Sequence, residues 1–567
     1  MSTHPSVRTI TPDFARRTFL GLSGASALAV TLAACGEGGG GGGPQAREEV
    51  ELALPTYAAP PEVPGGIVSD VEGMPVMFTE PFQEYFDSVE APPLSGGEVS
   101  TFQVLWGAPP RDKPDNEYWV ELEERLGGTF APTLVAFDTY NEKMATTIAS
   151  GDIPDLLFVQ DSNAVAAKAI DDGVFADLSE VLAGDNILEW PNLANVGTNA
   201  WKASAKNGHI FGVPNEDPYI SQFPAIRWDA MEAAGFDEMP EDAEGFLEMM
   251  TAIAELGELH GKPIYGIGAF EGRAQAMVEQ MFRAGTTWQL DGDGNLINII
   301  ETDVYEQVLD FQNRMWQAGV YHPDALALAS QGNQAAEMFT NGQSCIWTDA
   351  FQGFFGSQIL NDVAELTPGA EARLFVPPAF DSGDIVVQRN DGYWGMVAIS
   401  AKAAEDPERL KELLGVINYW RAPDASTEAR FIHSGVEGWN WDLGDNNELV
   451  GIDDPAAQAD RAALQWLGAF KSPSYTIAEN NLPYVDNFRE VAETLIPLSV
   501  PNVTVGLYNE AVGANGAAMS EVDTDYRGGI VSGRMPLSAL EDYREAWRAA
   551  GGDAVRDEYQ AALDAQA

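Results

Sequence analysis

Cysteine is nearly absent from this chain. Two residues in 567, Cys35 and Cys345, exclude a disulfide framework and a cysteine-based metal centre. Histidine is scarce too: His4, His209, His260, His322 and His433 stand apart, with none of the close pairs that make a zinc site. Positive charge is sparse, with 31 Lys and Arg against 87 Asp and Glu, a formal net charge of −56. Such a surface repels phosphate backbones and anionic lipid, which removes nucleic acid as a partner and favours a monomer. No Gly-x-Ser-x-Gly elbow is present, and no motif calls for a cofactor. The run Asp291-Gly292-Asp293-Gly294-Asn295 imitates the start of a calcium loop, but Thr302 stands at the twelfth position, where a Glu is required. That run reads as a hairpin turn.

Long apolar runs are also missing. The one near the amino terminus, Gly21 to Ala33, is shorter than the roughly 20 residues a membrane-spanning helix needs. It follows Arg16-Arg17-Thr18-Phe19-Leu20 and ends in Leu32-Ala33-Ala34-Cys35, the layout of an export signal. The paired arginines resemble a twin-arginine signal, although Ala15 and Gly21 depart from that pattern, so the general secretion route stays open. Leu-Ala-Ala-Cys resembles a bacterial lipobox. The resemblance implies cleavage after residue 34, lipidation of Cys35 and anchoring on the outer face of the cell membrane. Residues 1–34 carry a net charge of +2, so the chain from Cys35 carries −58.

Six glycines, Gly38 to Gly43, form a leash with coil-like reach. Residues 49–97 are rich in Pro and Gly yet hold Tyr57, Met74, Met77, Phe78, Phe82, Tyr85 and Phe86. Two readings stand side by side: an extended arm lying across the globular part, and a disordered linker. Ser100 to Trp106 reads as a strand; Asn116 to Gly127 as a capped helix with Trp119, Leu122 and Leu126 inward. Asp138 is expected to cap a helix carrying Tyr140, Met144 and Ile148, and Asp155 to Val159 reads as a buried strand. This alternation predicts a parallel α/β sheet. Further helices are expected from Asp303 to Gly319, from Asp406-Pro407 through Trp420, and from Pro536 to Ala565 with a break at Gly551-Gly552. A body this long exceeds the ~250 to 300 residues at which single cores stop growing, so two lobes are expected.

Several segments together resemble the extracellular solute-binding proteins of bacterial ABC importers, in the carbohydrate-binding family that includes maltose-binding protein and, within it, actinobacterial lipoproteins. They include Ser150-Gly151-Asp152-Ile153-Pro154-Asp155 after a helix, His209 to Pro214, Arg227 to Phe236, and Glu337 to Trp347. Tyr393 to Ser400 before the Asp406-Pro407 helix, Gly435 to Trp439, and Gly529 to Gly533 complete the set. The resemblance implies a two-lobed α/β fold of the periplasmic-binding type II, with hinge strands between lobes that close over a solute. It places lobe 1 in 98–218 and 391–425, lobe 2 in 219–390 and 426–567, and crossings near 213–226 and 373–392. Arg227 and Asp229 are expected to form a structural pair.

The implied function is capture of a carbohydrate, expected to be an oligosaccharide, for delivery to permease subunits without chemical change. A secreted carbohydrate-active enzyme and a solute-sensing lipoprotein are the alternatives. Sugars present apolar C–H faces and a rim of hydroxyls, so aromatic rings and carboxylates at strand ends are the candidates. These are Trp106, Asp161, Tyr219, Trp288, Trp347, Asp349, Tyr393 and Trp394, with Glu437, Trp439 and Trp441 in a Gly-rich loop.

Overall fold

The computed structural model describes residues 51–567 apart from 161–163, 221, 271–272, 329–331, 357–358, 469–473, 478, 508 and 567. Cys35 and Asp161 lie outside the described residues.

The first half is built on a five-stranded sheet in the order Thr129–Ala136, Glu98–Leu105, Leu156–Val159, Tyr393–Ile399, Val213–Glu216. The first three strands are parallel, and Tyr393–Ile399 runs antiparallel to both of its neighbours. Side chains alternate across a strand, so two apolar faces need two covers. On one face Val99, Leu156, Val397 and Ile399 meet Tyr118, Leu122 and Leu126 of the Glu117–Leu126 helix and Leu413, Ile417 and Trp420 of Pro407–Trp420. On the other, Phe102, Leu157, Val159 and Met396 meet Tyr140 and Met144.

Local chemistry explains the helix ends. Asn116 accepts the Trp119 N–H at 3.0 Å, and Gly127 takes the left-handed conformation (φ 74°) at the other end. Asp406 accepts the Glu408 N–H with Pro407 in the first turn. The helix expected from Asp138 is Tyr140–Ser150, and a 3-10 turn, Phe137–Thr139, precedes it. Asp138 therefore lies inside that turn rather than at the cap.

The second half carries a four-stranded sheet in the order Tyr265–Ile267, Ser344–Asp349, Phe223–Arg227, Ala372–Leu374. Ile226 and Ile346 point into a core with Phe246, Met249 and Phe311, and Phe223, Ala225 and Leu374 into another with Phe351, Tyr475 and Phe488. Arg227 is fully buried and chelates Asp229 through two bonds of 2.9 and 2.7 Å, as expected of a scaffold pair. The chain passes between the sheets through 217–222 and returns through 375–392. The passages are tied together: Asn390 Nδ2 donates to Asp217 Oδ2 at 2.8 Å, Asn390 N to the Tyr219 carbonyl at 2.9 Å, and Asp217 N to the Gly392 carbonyl at 3.1 Å.

The expected assignment of all of 426–567 to the second lobe needs correction. Phe431, Ile432, Leu464 and Leu467 are buried in the first half's core, and Phe431 stacks on Tyr118 with ring centroids 4.8 Å apart. Only the later part joins the second half, where Phe488, Ile530, Tyr543, Trp547 and Val555 are buried. The longest helix among the described residues, Glu510–Val531, answers to no apolar stripe in the sequence.

The 51–97 segment is an ordered arm. Thr56 N donates to the Gly184 carbonyl and Ala58 N to that of Ala194 in the first half. Val76–Phe78 then pairs with Ser474–Thr476, with Met77 buried in a second-half core. The arm returns to the first half, where Ser88 bonds Glu428 and Leu94 is buried. Met77→Ala and Leu94→Ala should each destabilise the protein by about 2 to 5 kcal/mol, whereas Val68→Ala, at a site 73% exposed, should stay within about 0.5 kcal/mol. Urea unfolding of the three variants checks this; equal midpoints would mean the arm carries no stability.

Candidate functional site

Parallel strands Glu98–Leu105 and Thr129–Ala136 are aligned so that Leu105 faces Ala136. The next residue of each is aromatic. Trp106 and Phe137 therefore come together, with centroids 4.7 Å apart and planes 27° from parallel. They remain 48% and 44% exposed. Trp394 lies 5.9 Å from Trp106, and Trp466 lies 5.5 Å from it, edge-on. Phe158 supports both from beneath, 5.5 Å from Trp394 and 4.7 Å from Trp466.

Two glycines allow this packing. Gly395 sits at the irregularity between Tyr393 and Met396 with φ 75°, and a Cβ there would fall 2.7 Å from the Phe158 ring. Gly468 has φ 82°, and its Cβ would fall 2.3 Å from the same ring. Neither position accepts a side chain without moving Phe158 and the two tryptophans resting on it. Adjacent, half-exposed aromatic rings at strand ends form an apolar platform that a ligand face can cover.

On the second half, partly buried Trp347 and buried Asp349 lie in the last three residues of Ser344–Asp349. Trp347 Nε1 donates to Asp349 Oδ2 at 2.8 Å, and the Ala350 N–H to Oδ1 at 2.7 Å. Asp349 faces Phe223, the first residue after the crossing, so this ring and carboxylate stand at the crossing end of their sheet. Phe351 stacks on Tyr475 with centroids 3.5 Å apart. Burial, together with the nearby Asp217 charge, raises the Tyr475 pKa. Tyr393, half-buried, stands opposite Glu216 at the matching end of the first sheet.

The other candidates are placed differently. Trp288 is 7% exposed, in the second-half core near Trp547 and Tyr559. Trp441 is 4% exposed and donates to the Gly435 carbonyl at 3.0 Å. Both are core residues, because the hairpin and helices around them need an apolar filler. Tyr219 lies at the crossing, but Arg389 covers one part of its ring at 4.3 Å and Gly73 packs against another. In the Gly-rich loop Arg111 lies 4.9 Å above the Trp439 ring while holding Asp460, and Glu437 is exposed on the loop's outer side. Asp291 accepts the N–H groups of Asp293 and Asn295 within a hairpin, Trp288–Leu290 with Leu296–Asn298, as the turn reading expects.

Phe137 and Trp466 were not singled out from the sequence. Phe137 had a signal: it closes the strand next to the one that Trp106 closes. Trp466 had none, since only the packing around Phe158 brings it there.

No family model matches the chain. It is 22% identical over 444 residues to lipoprotein LipO of Bacillus subtilis, covering 76% of this chain and 86% of the relative. It is 21% identical over 501 residues to the polygalacturonan/rhamnogalacturonan-binding protein YtcQ of the same organism, covering 84% and 93%. Among solved structures, the alginate-binding protein AlgQ2 without calcium superposes with a TM-score of 0.60 at 13% identity, over 85% of this chain and all of that one. The Streptococcus pneumoniae substrate-binding protein FusA in complex with kestose gives 0.59 at 16% identity, over 83% and 99%. An HMO-binding solute-binding protein of Bifidobacterium longum infantis gives 0.60 at 13%, over 83% and 99%. The chain thus has the two-domain fold of the solute-binding proteins that serve ABC transporters.

Two outcomes follow from this packing. Gly468→Ala should cost roughly 1 to 3 kcal/mol in urea unfolding and alter the near-ultraviolet tryptophan dichroism, while Gly292→Ala, with nothing within 4 Å, should do neither. Burial and the neighbouring Arg461 push the His433 imidazole down to about 4. Between that value and the unfolded value of about 6.5, the unfolded chain binds the proton more readily. The contribution is therefore complete above about pH 6.5 and lost as pH falls toward 4. His433→Gln should flatten the fall in stability across that window relative to the parent, measured by urea melts at each pH.

Proposed function

We propose that this protein is the membrane-anchored substrate-binding component of an ABC importer, which captures an oligosaccharide between its two halves and passes it unaltered to the permease. The observation that carries the reading is the aromatic platform of exposed Trp106 and Phe137 with half-buried Trp394 beside them, on the crossing side of the first sheet. Trp347 and Asp349 stand at the corresponding end of the second. Sugar rings stack their C–H faces on the platform while Asp349 accepts hydroxyls. Contacts from both halves exist only when the halves approach, so the ligand favours the closed form through its differential affinity.

The fold supports capture rather than turnover, since the matched relatives and structures with a stated role are binding proteins. Lipidation of Cys35 followed by the Gly38–Gly43 leash would hold the binding body at the outer membrane face within reach of the permease. Tyr393 completes the proposed site at the hinge, and Asp161 is proposed with it from its position after the Leu156–Val159 strand.

Trp106→Ala and Trp394→Ala should each weaken oligosaccharide binding by about 1 to 3 kcal/mol, the range found for ring stacking on aromatic side chains. Trp288→Ala should instead lower stability. Calorimetric titration against an oligosaccharide panel, with chromatography of the recovered ligand, tests the reading. Unchanged affinity in both platform variants would remove the platform from the site, and a chemically altered ligand would make the protein an enzyme. Cys35→Ala should move the protein from the membrane fraction to the medium.

A further inference from the structure

One side chain joins the arm to both crossings. Tyr219 lies in the first crossing, and its carbonyl accepts the Asn390 N–H of the return at 2.9 Å. The Arg389 guanidinium carbon stands 4.3 Å from the centre of its ring. Gly73 of the arm packs on that ring so closely that a Cβ there would fall 2.2 Å from Cδ2, 2.6 Å from Cε2 and 2.7 Å from Cγ. We propose that this clamp of Gly73, Tyr219 and Arg389 makes the arm part of the hinge, holding the crossings, and through them the two halves, in one arrangement before any ligand arrives. Tyr219 is then a positioning residue, whatever solute the halves capture.

Each jaw of the clamp is fixed to something else. Gly73 sits in a turn closed by the Met74 N–H on the Val71 carbonyl at 3.1 Å. Val71 and Met74 pack on the second-half core that buries Met77. The φ of Gly73 is 86°, a conformation that suits glycine, so backbone and contact both ask for a residue without a side chain. On either side of this turn the arm is bonded to the first half. Asn195 Nδ2 donates to the Ala58 carbonyl at 2.9 Å, Phe86 N to the Ala425 carbonyl at 3.1 Å, and Thr427 N to the Phe86 carbonyl at 2.8 Å. Arg389 is held by the second half, its Nε donating to the Ser499 hydroxyl at 3.2 Å and its backbone N to the Val500 carbonyl at 2.8 Å. A cation over an aromatic face gains strength as water is excluded from it.

Hinges work because a few residues absorb changes in φ and ψ. Rotation at 217–219 would turn the Tyr219 ring against Gly73 or away from Arg389, and those two partners belong to segments that are anchored separately. Movement of the halves therefore gives up contacts at this point, and contacts made in one arrangement only set its population. The populated fraction of the binding arrangement scales the affinity, so the clamp acts on capture through the hinge.

The test is the separation of the halves without ligand, read by pulsed dipolar spectroscopy between spin labels at Lys143→Cys and Glu248→Cys, exposed helix positions of the first and second halves. The full chain carries Cys35→Ala, and Cys345 is fully buried, so only the introduced thiols are labelled. Tyr219→Phe keeps the ring and should leave the distance distribution unchanged. Gly65→Ala puts the same backbone strain into the arm, at φ 89° with nothing within 4 Å, and should also leave it unchanged. Tyr219→Ala and Gly73→Ala should each widen the distribution, shifting the ratio of arrangements by about fivefold or more, the lower end of usual coupling strengths. Adding Gly73→Ala to Tyr219→Ala should change little further, because the ring it would strike is gone. A Tyr219→Ala distribution equal to the parent's overturns the clamp. A change in Gly65→Ala as large as that in Gly73→Ala overturns it too, since backbone strain alone would then account for the effect. Tyr219→Ala only removes atoms, so it decides the matter even where Gly73→Ala fails to fold. Neither result bears on sugar capture, which stands or falls with the glycan titration above.

Discussion

One side-chain amide ties the two chain crossings to each other. Asn390 bonds Asp217 and the Pro218 carbonyl through its side chain and the Tyr219 carbonyl through its backbone, so 217–219 and 390–392 run as a pair. The register of Tyr393–Ile399 follows from where this pair enters the first sheet. Because that strand runs against both neighbours, its first residues stand where Glu98–Leu105 and Leu156–Val159 end. Trp394 meets Trp106 for that reason. The same crossing delivers Phe223 beside Asp349.

A molecule this acidic is destabilised by its own charge, and its architecture answers with apolar ties between distant parts of the chain. The arm is the clearest: it leaves the first half, adds Val76–Phe78 beside Ser474–Thr476, and returns to bury Leu94. Met77 and Leu94 anchor the arm in different cores, which couples the two halves at a place other than the paired crossings. Each passage of the arm between halves is a further link that domain closure has to accommodate.

Much of the fold could be read along the chain where a local rule and the tertiary environment agree. The Asn116 cap and Gly127 stop, the Asp406-Pro407 start and the break at Gly551, whose φ is 123°, are examples. Glu510–Val531 was not legible, because its glycines and polar residues carry no helical stripe and packing against neighbouring helices holds it. Site legibility divided along the same line. Trp106 and Trp394 sit at strand ends, a place that sequence marks. Trp288 and Trp441 looked alike in sequence, yet neighbours remote in the chain enclose them.

By itself the sequence determined the charge, most of the helix caps and the alternating apolar faces of the strands. Those properties depend on residue type and short spacing. Tertiary structure alone decided that Trp106, Phe137, Trp394 and Trp466 share one surface, and that 427–464 packs with the first half. Strand register and helix docking bring together positions up to 360 residues apart. No local pattern encodes which of 14 tryptophans will find a partner at that distance.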